Sequence, residues 1–284
     1  MKSTADAWRT RLLGVWSALA LLYLFLPIFV VALFSFNDPA GRFNLTWSGF
    51  TLDHWLHPFA VEGIGTAVRN SILIATISTA IALVLGTFMA LALVRHGFRG
   101  RRAMDMFIFL PLATPEVVLG AALLGLFLTM NVATGFATIV VAHTMFNVSY
   151  VVVTIRARLQ GMDNHLEEAA MDLGANEWTT FRKVTLPLIL PGVGAAGLLA
   201  FALSFDDFVI TNFNAGQTST FPLFIWGAAR QGVPPQVNVL ATALLVIVLV
   251  LMLANLAWQR RAAQRETVVA EPAATAAAAR HAVA

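Results

Sequence analysis

The stretch Glu168-Ala169-Ala170-Met171-Asp172-Leu173-Gly174, with Val184-Thr185-Leu186-Pro187 behind it, decides how the rest of the chain is read. It is the longest polar, helix-patterned interruption in a sequence that otherwise alternates apolar runs with short connections. Asn164 and Glu167 are spaced as a capping pair that opens a short helix. Ala169, Ala170 and Leu173 then fall on one face, while Glu167, Glu168 and Asp172 carry charge elsewhere. Gly174 suits the position just past the helix end, where a positive φ is adopted cheaply. A second short helix begins after Asn176, with Trp178, Phe181 and Val184 at helical spacing, and Leu186-Pro187 is expected to stop it. Two short helices meeting at a glycine turn, with small and aromatic residues outward, form a knob that another protein can grip.

Working outward, hydrophobic residues make up 58% of the 284-residue chain and charged residues only 12%. Soluble domains carry about 25% charged residues. The apolar residues come in runs of membrane-spanning length, so burial is expected in lipid and between helices. Cysteine is absent, which excludes disulfides, thiolate catalysis and cysteine-based metal sites. The only lysines are Lys2 and Lys183, and neither follows a glycine, so the chain has no lysine-containing phosphate loop. If ATP drives the protein, another chain must bind it. No zinc-protease motif and no hydrolase nucleophile elbow occur. His143 reads as a packed or hydrogen-bonded residue, and no nucleophile–base pair can be built from sequence. A membrane-embedded enzyme or channel is therefore the weaker of the function classes.

Residues 1–12 are a short polar start, and Leu13 to about Phe34 is the first span. That run is longer than a secretory h-region and lacks a small-residue cleavage site, so it is expected to stay uncleaved. After a polar, aromatic stretch (35–66, with Trp47 and Trp55), the second span runs from Ala67 to Val94. Arg95–Arg102 is a tight basic turn. The third span, Ala103 to about Thr129, is broken by Pro111 and Pro115, and the fourth runs from Phe136 to Thr154. The motif loop occupies about 156–190. The fifth span is expected from Gly192 to Phe213 and the sixth from Val239 to about Trp258, with a loop over 214–238. The six-helix domain covers 13–261, and the alanine-rich tail, 262–284, is expected to be disordered.

Basic residues number three before the first span, four between spans two and three, four in the motif loop and four after the sixth. Only Arg42, Arg69 and Arg230 lie on the other side. By the positive-inside rule, both termini and the motif loop are cytoplasmic. The high pI then reflects membrane-flanking arginines and needs no nucleic-acid partner.

Ionisable residues within spans mark function by default. Glu116 lies about 20 Å from the cytoplasmic start of the third span, at roughly 1.5 Å per residue. Asp206 lies at a similar depth in the fifth, about 21 Å by the same rise. Trp226 and Phe221, on the outer side, can present their rings to a cation. Asp206 and Asp207 are adjacent, so at most one of them faces a pathway. The alternative is that these acids cap broken helices or pair with Arg69 or Arg230.

The Glu168-to-Pro187 pattern resembles the cytoplasmic motif loop of binding-protein-dependent ABC importer permeases, with Val184 replacing the usual isoleucine. Three further stretches resemble the second permease subunit of spermidine/putrescine importers: Pro115–Val118, Leu203–Phe208 and Pro234–Thr242. The resemblance implies an all-α integral membrane protein of six transmembrane helices, the type I ABC importer permease fold, in a bacterial cytoplasmic membrane. It implies no cofactor and no enzymatic activity of the chain itself. Its partners would be a second homologous permease, two ATP-binding subunits, an extracytoplasmic solute-binding protein and membrane lipid. Glu168, Ala169, Ala170, Gly174, Leu186 and Pro187 would couple the permease to the ATPase. Glu116, with Asp206 or Asp207, and Trp226 would line the path of a polyamine-like cation. Permeases for amino-acid-like, phosphonate or ferric ligands share much of the scaffold and stand as the alternative.

Overall fold

The computed structural model describes residues 4–250, apart from residues 42 and 164, together with residues 253–254. The chain divides into two units, Met1–Ala60 with Gln231–Ala284, and Val61–Arg230. The first unit holds α1 (Thr4–Phe34), α2 (Asp53–Leu56) and α12 (Pro235–Val250). The second holds α3 (Ile64–Arg95), α4 (Arg101–Ala113), α5 (Glu116–Thr129), α6 (Phe136–Gln160), α7 (His165–Asp172) and α8 (Glu177–Thr180). It continues with a π-helical segment (Phe181–Thr185), α9 (Leu186–Asp206), α10 (Val209–Asn214) and α11 (Phe221–Gln231). Among the described residues there is no strand, only an isolated bridge between Asn37 and Phe50.

In the first unit, α1 is apolar around its whole circumference from Leu12 onward, and Leu13, Trp16, Leu22 and Tyr23 are exposed, as a lipid-facing span requires. The chain leaves α1 through a polar knot. The Asn37 side chain donates to Asn44 Oδ1 (2.7 Å) and Thr46 O (2.8 Å) and accepts from Ser48 N (2.8 Å). Phe36 stacks on both Phe50 and Trp55, which fixes the aromatic stretch after the first span.

The core of the second unit is the packing of α3, α6 and α9. Lipid supplies no hydrophobic drive between helices, so close approach of backbones and interhelical hydrogen bonds carry their association. The sequence provides the approach. Ala67, Ser71, Ala75, Ser78, Ala82, Gly86 and Ala90 are buried along one face of α3. A Cβ added at Gly86 would lie 2.6 Å from Val151 Cγ1 on α6. Ala82, Leu93, Val151, Ile155, Ile189, Ala196 and Ala200 fill the space between the three helices.

Four helical stretches of the described residues are long and apolar enough to cross a membrane, Arg11–Phe34, Ile64–Arg95, Phe136–Gln160 and Glu177–Asp206. A fifth is reached only if α4 and α5 count as one broken span, for they meet at a bend of 110°. The expected third span is thus not a straight crossing. Pro111 remains inside α4; the break falls at Thr114–Pro115, where Thr114 is extended (φ −86°, ψ 132°), as a residue before proline prefers. The 20 Å rise to Glu116 assumed a straight helix and does not extend into α5. The expected sixth span appears as α12, which begins at Pro235 and is shorter. Its continuation towards Trp258 and the 262–284 tail lie outside the described residues.

Leu186-Pro187 does not stop a helix. Residues 177–206 are helical throughout, so the second half of the motif is the leading end of the fifth span. Pro187 sits in the first turn of α9, and the wider π-helical turn ahead of it accommodates the missing amide and the proline ring. The fifth span also ends early. It breaks after Asp206, and α10 continues the chain from Val209.

Candidate functional site

Two regions carry the candidate residues. The first is the motif loop. The α7 helix ends in the arrangement read from sequence: Gly174 has φ +87°, its amide donates to Met171 O (2.9 Å), and Ala175 N donates to Ala170 O (3.1 Å). This is a Schellman turn, with glycine where a Cβ would be strained. The Asn176 side chain accepts from Thr179 N (2.8 Å) and opens α8. Asn164 lies outside the described residues. Asp163 Oδ1 accepts from His165 N (3.0 Å) at the start of α7, and Glu167 is turned elsewhere.

The two glutamates of the motif part company. Glu168 is exposed and lies 3.2 Å from His165 Nδ1. Glu167 forms an ion pair with Arg95 at the end of α3 and accepts from Thr185 Oγ1 at the entry to α9. Ala169 is exposed and Ala170 half-buried. Around them, Leu173 is 90% exposed and Trp178 65%, a large apolar surface on polar helices. Leu186 packs against the three-helix core and Pro187 is exposed. The surface has the composition of a docking site. Small residues would let a partner approach closely, beside apolar side chains exposed on the same helices.

The second region surrounds the break between α9 and α10. Asp207 accepts from the free amides of Ile210 (3.3 Å) and Thr211 (2.7 Å) and from Thr211 Oγ1 (2.8 Å). His143 Nε2 lies 3.2 Å from the same carboxylate, and its Nδ1 lies 2.6 Å from Ser204 Oγ. Ser204 Oγ in turn meets Ser78 Oγ at 3.1 Å. The result is a buried polar chain from α3 through α9 and α6 to α10. Sequence reading found no nucleophile–base pair, yet the fold brings a serine, a histidine and an aspartate into contact. Ser204 and His143 are only 4% and 2% exposed, and none of the three borders the cavity beside Asp206. With no room for a substrate at the hydroxyl, the arrangement is interhelical glue, each bond worth about 1 kcal/mol in a membrane.

Asp206 has the opposite surroundings. It is exposed and borders a cavity of about 350 Å³ formed with Phe205, Phe208, Phe221, Ile225 and Trp226. Phe208 and Trp226 pack with ring centroids 5.0 Å apart. The Arg230 guanidinium lies 5.1 Å from the Trp226 centroid. Among the described residues neither Asp206 nor Glu116 forms an ion pair within 4 Å, so the expected alternative of pairing with Arg69 or Arg230 is not realised for either acid. Glu116 is exposed at the first residue of α5, where its charge complements the helix dipole, and it does not border the Asp206 cavity. Trp226 does. His143 is the packed, hydrogen-bonded residue expected from sequence, though its partner Ser204 lies 61 residues on; the role of Glu167 escaped the sequence reading, since Arg95 lies 72 residues back.

Comparison with known proteins agrees with this architecture. Residues 82–268 match the family described as the binding-protein-dependent transport system inner membrane component. The chain is 38% identical over 231 residues to the spermidine/putrescine transport system permease protein PotC of Haemophilus influenzae, covering 81% of this chain and 89% of that one. It is 37% identical over 246 residues to the putrescine transport system permease protein PotI of Escherichia coli, covering 84% and 85%. Among solved structures, a bacterial ABC transporter involved in the import of the acidic polysaccharide alginate superposes with a TM-score of 0.69 at 16% identity, over 89% of this chain and 96% of that one. An amino acid ABC transporter gives 0.53 at 19% identity, over 70% and 93%. Such distant structures speak for the fold alone. The helical architecture, the matched family and the extent of the relatives together make this chain a member of the binding-protein-dependent inner membrane component family, a multi-pass permease subunit of an ABC importer.

Proposed function

We propose that the chain passes a polyamine-like cation, spermidine or putrescine, across the bacterial cytoplasmic membrane. The observation that carries this reading is the exposed Asp206 carboxylate set among Phe205, Phe208, Phe221 and Trp226. A carboxylate beside ring faces suits an alkylammonium: the charge offsets lost hydration and the rings accept the cation and the methylene chain. The names of the relatives, transporters of spermidine and putrescine, support the same substrate class.

In this account the six-helix domain, about 13–261, pairs with a second permease, and an extracytoplasmic binding protein delivers the solute. Two ATP-binding subunits grip the loop of residues 156–190 through Glu168, Ala169, Ala170 and Gly174, with Leu186-Pro187 leading into the fifth span. Both termini and that loop are cytoplasmic, as the arginine distribution favours. Transport is rigid-body rocking of helices about a membrane site. Asp206 and Trp226 meet the solute, Asp207 supports the helix break, and Glu116 serves as a separate acidic station.

One observation favours a second reading. Arg230 already lies over the Trp226 ring, as it would in a permease for an amino-acid-like solute bearing a carboxylate. Uptake by the complete reconstituted transporter separates the two. The account predicts ATP-dependent entry of labelled spermidine or putrescine, competed by unlabelled polyamine and not by amino acids. Entry of an amino acid alone would select the second reading.

A further inference from the structure

The α7 helix, which carries Glu168, Ala169 and Ala170, buries none of its own side chains. Among the described residues, the apolar anchors nearest to it lie at its flanks, where Met162 on one side and Phe181 on the other pack against the three-helix core. Between these points the eight-residue helix exposes Leu166 and Met171 and only half-buries Ala170, so its apolar hold on the body is slight. What ties it there is Glu167. Its side chain is 14% exposed, paired with an Arg95 side chain at 25%. The same carboxylate oxygen accepts from Thr185 Oγ1, and Thr185 is fully buried. Arg95 Nη1 also approaches Thr185 Oγ1 at 3.4 Å.

Arg95 is the last residue of α3, and Thr185 is the last of the π-helical segment that feeds α9. One carboxylate therefore joins the loop helix to the ends of two of the three helices that pack as the core. A charge-assisted, half-buried contact of this kind is directional and costly to break from one side. π-Helical turns are frequent at functional sites, and this one presents the hydroxyl that completes the contact.

We infer that Glu167, with Arg95 and Thr185, is the latch that makes the loop helix move as one body with α3 and α9. Glu167 is thus a positioning residue that transmits an ATPase-driven displacement, while Glu168 faces the partner. The inference rests on the proposed docking of the ATPase at this loop. Without the latch, α7 swivels between Gly161 and Gly174, and displacement of the loop dissipates before reaching the spans.

The test uses the complete transporter in proteoliposomes with Glu167→Gln, Arg95→Gln and the exchanged pair Arg95→Glu/Glu167→Arg. Three quantities are read: ATPase subunits retained on the permease, basal ATP hydrolysis, and solute moved per ATP. The single variants are expected to retain the subunits and basal hydrolysis while solute per ATP falls about tenfold, the scale of a coupling free energy. The exchanged pair is expected to recover part of that loss, which a merely structural defect would not. Unchanged solute per ATP in both single variants overturns the latch. So does loss of the ATPase subunits from Glu167→Gln, which would make Glu167 a docking residue. If Leu173→Cys on the wild-type background is not shielded by bound ATPase, the docking reading itself is wrong, and that outcome is distinct from failure of the latch.

Discussion

Asp206 and Asp207 are consecutive in the chain and opposite in surroundings. Asp206 stands exposed among aromatic rings, whereas Asp207 is buried against His143 and the free amides of α10. The helix break between α9 and α10 produces the separation. Asp207 satisfies the amides that the break leaves free, and that leaves Asp206 as the last helical residue, at the edge of the cavity.

Asp207 and His143 are therefore predicted to matter for stability before transport. Asp207→Ala removes the acceptor of two backbone amides, a hydroxyl and a ring nitrogen, and a buried group left without its partner costs about 1–3 kcal/mol. The detergent-solubilised protein should melt at a lower temperature in Asp207→Ala and His143→Ala, and at the wild-type temperature in Asp206→Ala. Equal melting of all three would remove the structural distinction between the two aspartates.

Gly174 separates backbone conformation from contact. A Cβ there would meet nothing within 4 Å, yet φ is +87°. Substitution thus strains the turn without a clash, by about 1–2 kcal/mol for an L side chain in the left-handed region. Gly174→Val is predicted to insert and assemble normally while uptake falls, with Gly174→Asn closer to wild type. Wild-type uptake in Gly174→Val would show that the turn has no part in coupling.

Gly86 is the converse case, limited by contact. Its added Cβ would lie 2.6 Å from Val151 Cγ1 and 3.3 Å from Val148 O, whereas at Gly194 it would meet nothing within 4 Å. Gly86→Ala should cost about 1–3 kcal/mol of stability through forced separation of α3 and α6. Gly194→Ala, in the interior of α9, should be neutral or stabilising. Thermal melting of the pair tests the close approach directly.

How far the sequence carried the reading depends on how local each feature is. The loop helices, the glycine turn and the Asn176 cap are written within a few residues and were legible. The bend at Thr114–Pro115 was half-legible. Proline marked the site, but no local rule gives a 110° turn in place of a kink. Continuation of the helix through Leu186-Pro187 runs against the local stop signal, because a π-helical turn leaves little sequence signature. The His143–Ser204–Ser78 chain and the Glu167–Arg95 contact were invisible: each joins residues on different helices, and only the packing of α3, α6 and α9 brings them together.

The cytoplasmic side proposed for the loop rests on the distribution of charge and is open to direct measurement. The chain has no cysteine, so a single Cys in place of Leu173, 90% exposed, reports its own environment. It is predicted to react with a membrane-impermeant maleimide in inverted vesicles and not in intact cells, and to be shielded once ATPase subunits are bound. Labelling of intact cells would reverse the orientation of the whole chain.

The central claim is that Asp206 offers a cationic solute its station in the membrane, and uptake by the Asp206→Asn transporter at saturating solute-loaded binding protein tests it most directly. Asparagine keeps the size and removes the charge. The account predicts that labelled polyamine uptake falls about tenfold, equivalent to roughly 1.4 kcal/mol of lost stabilisation along the path, with complex yield and basal ATP hydrolysis unchanged. Uptake at the wild-type rate in Asp206→Asn would contradict it.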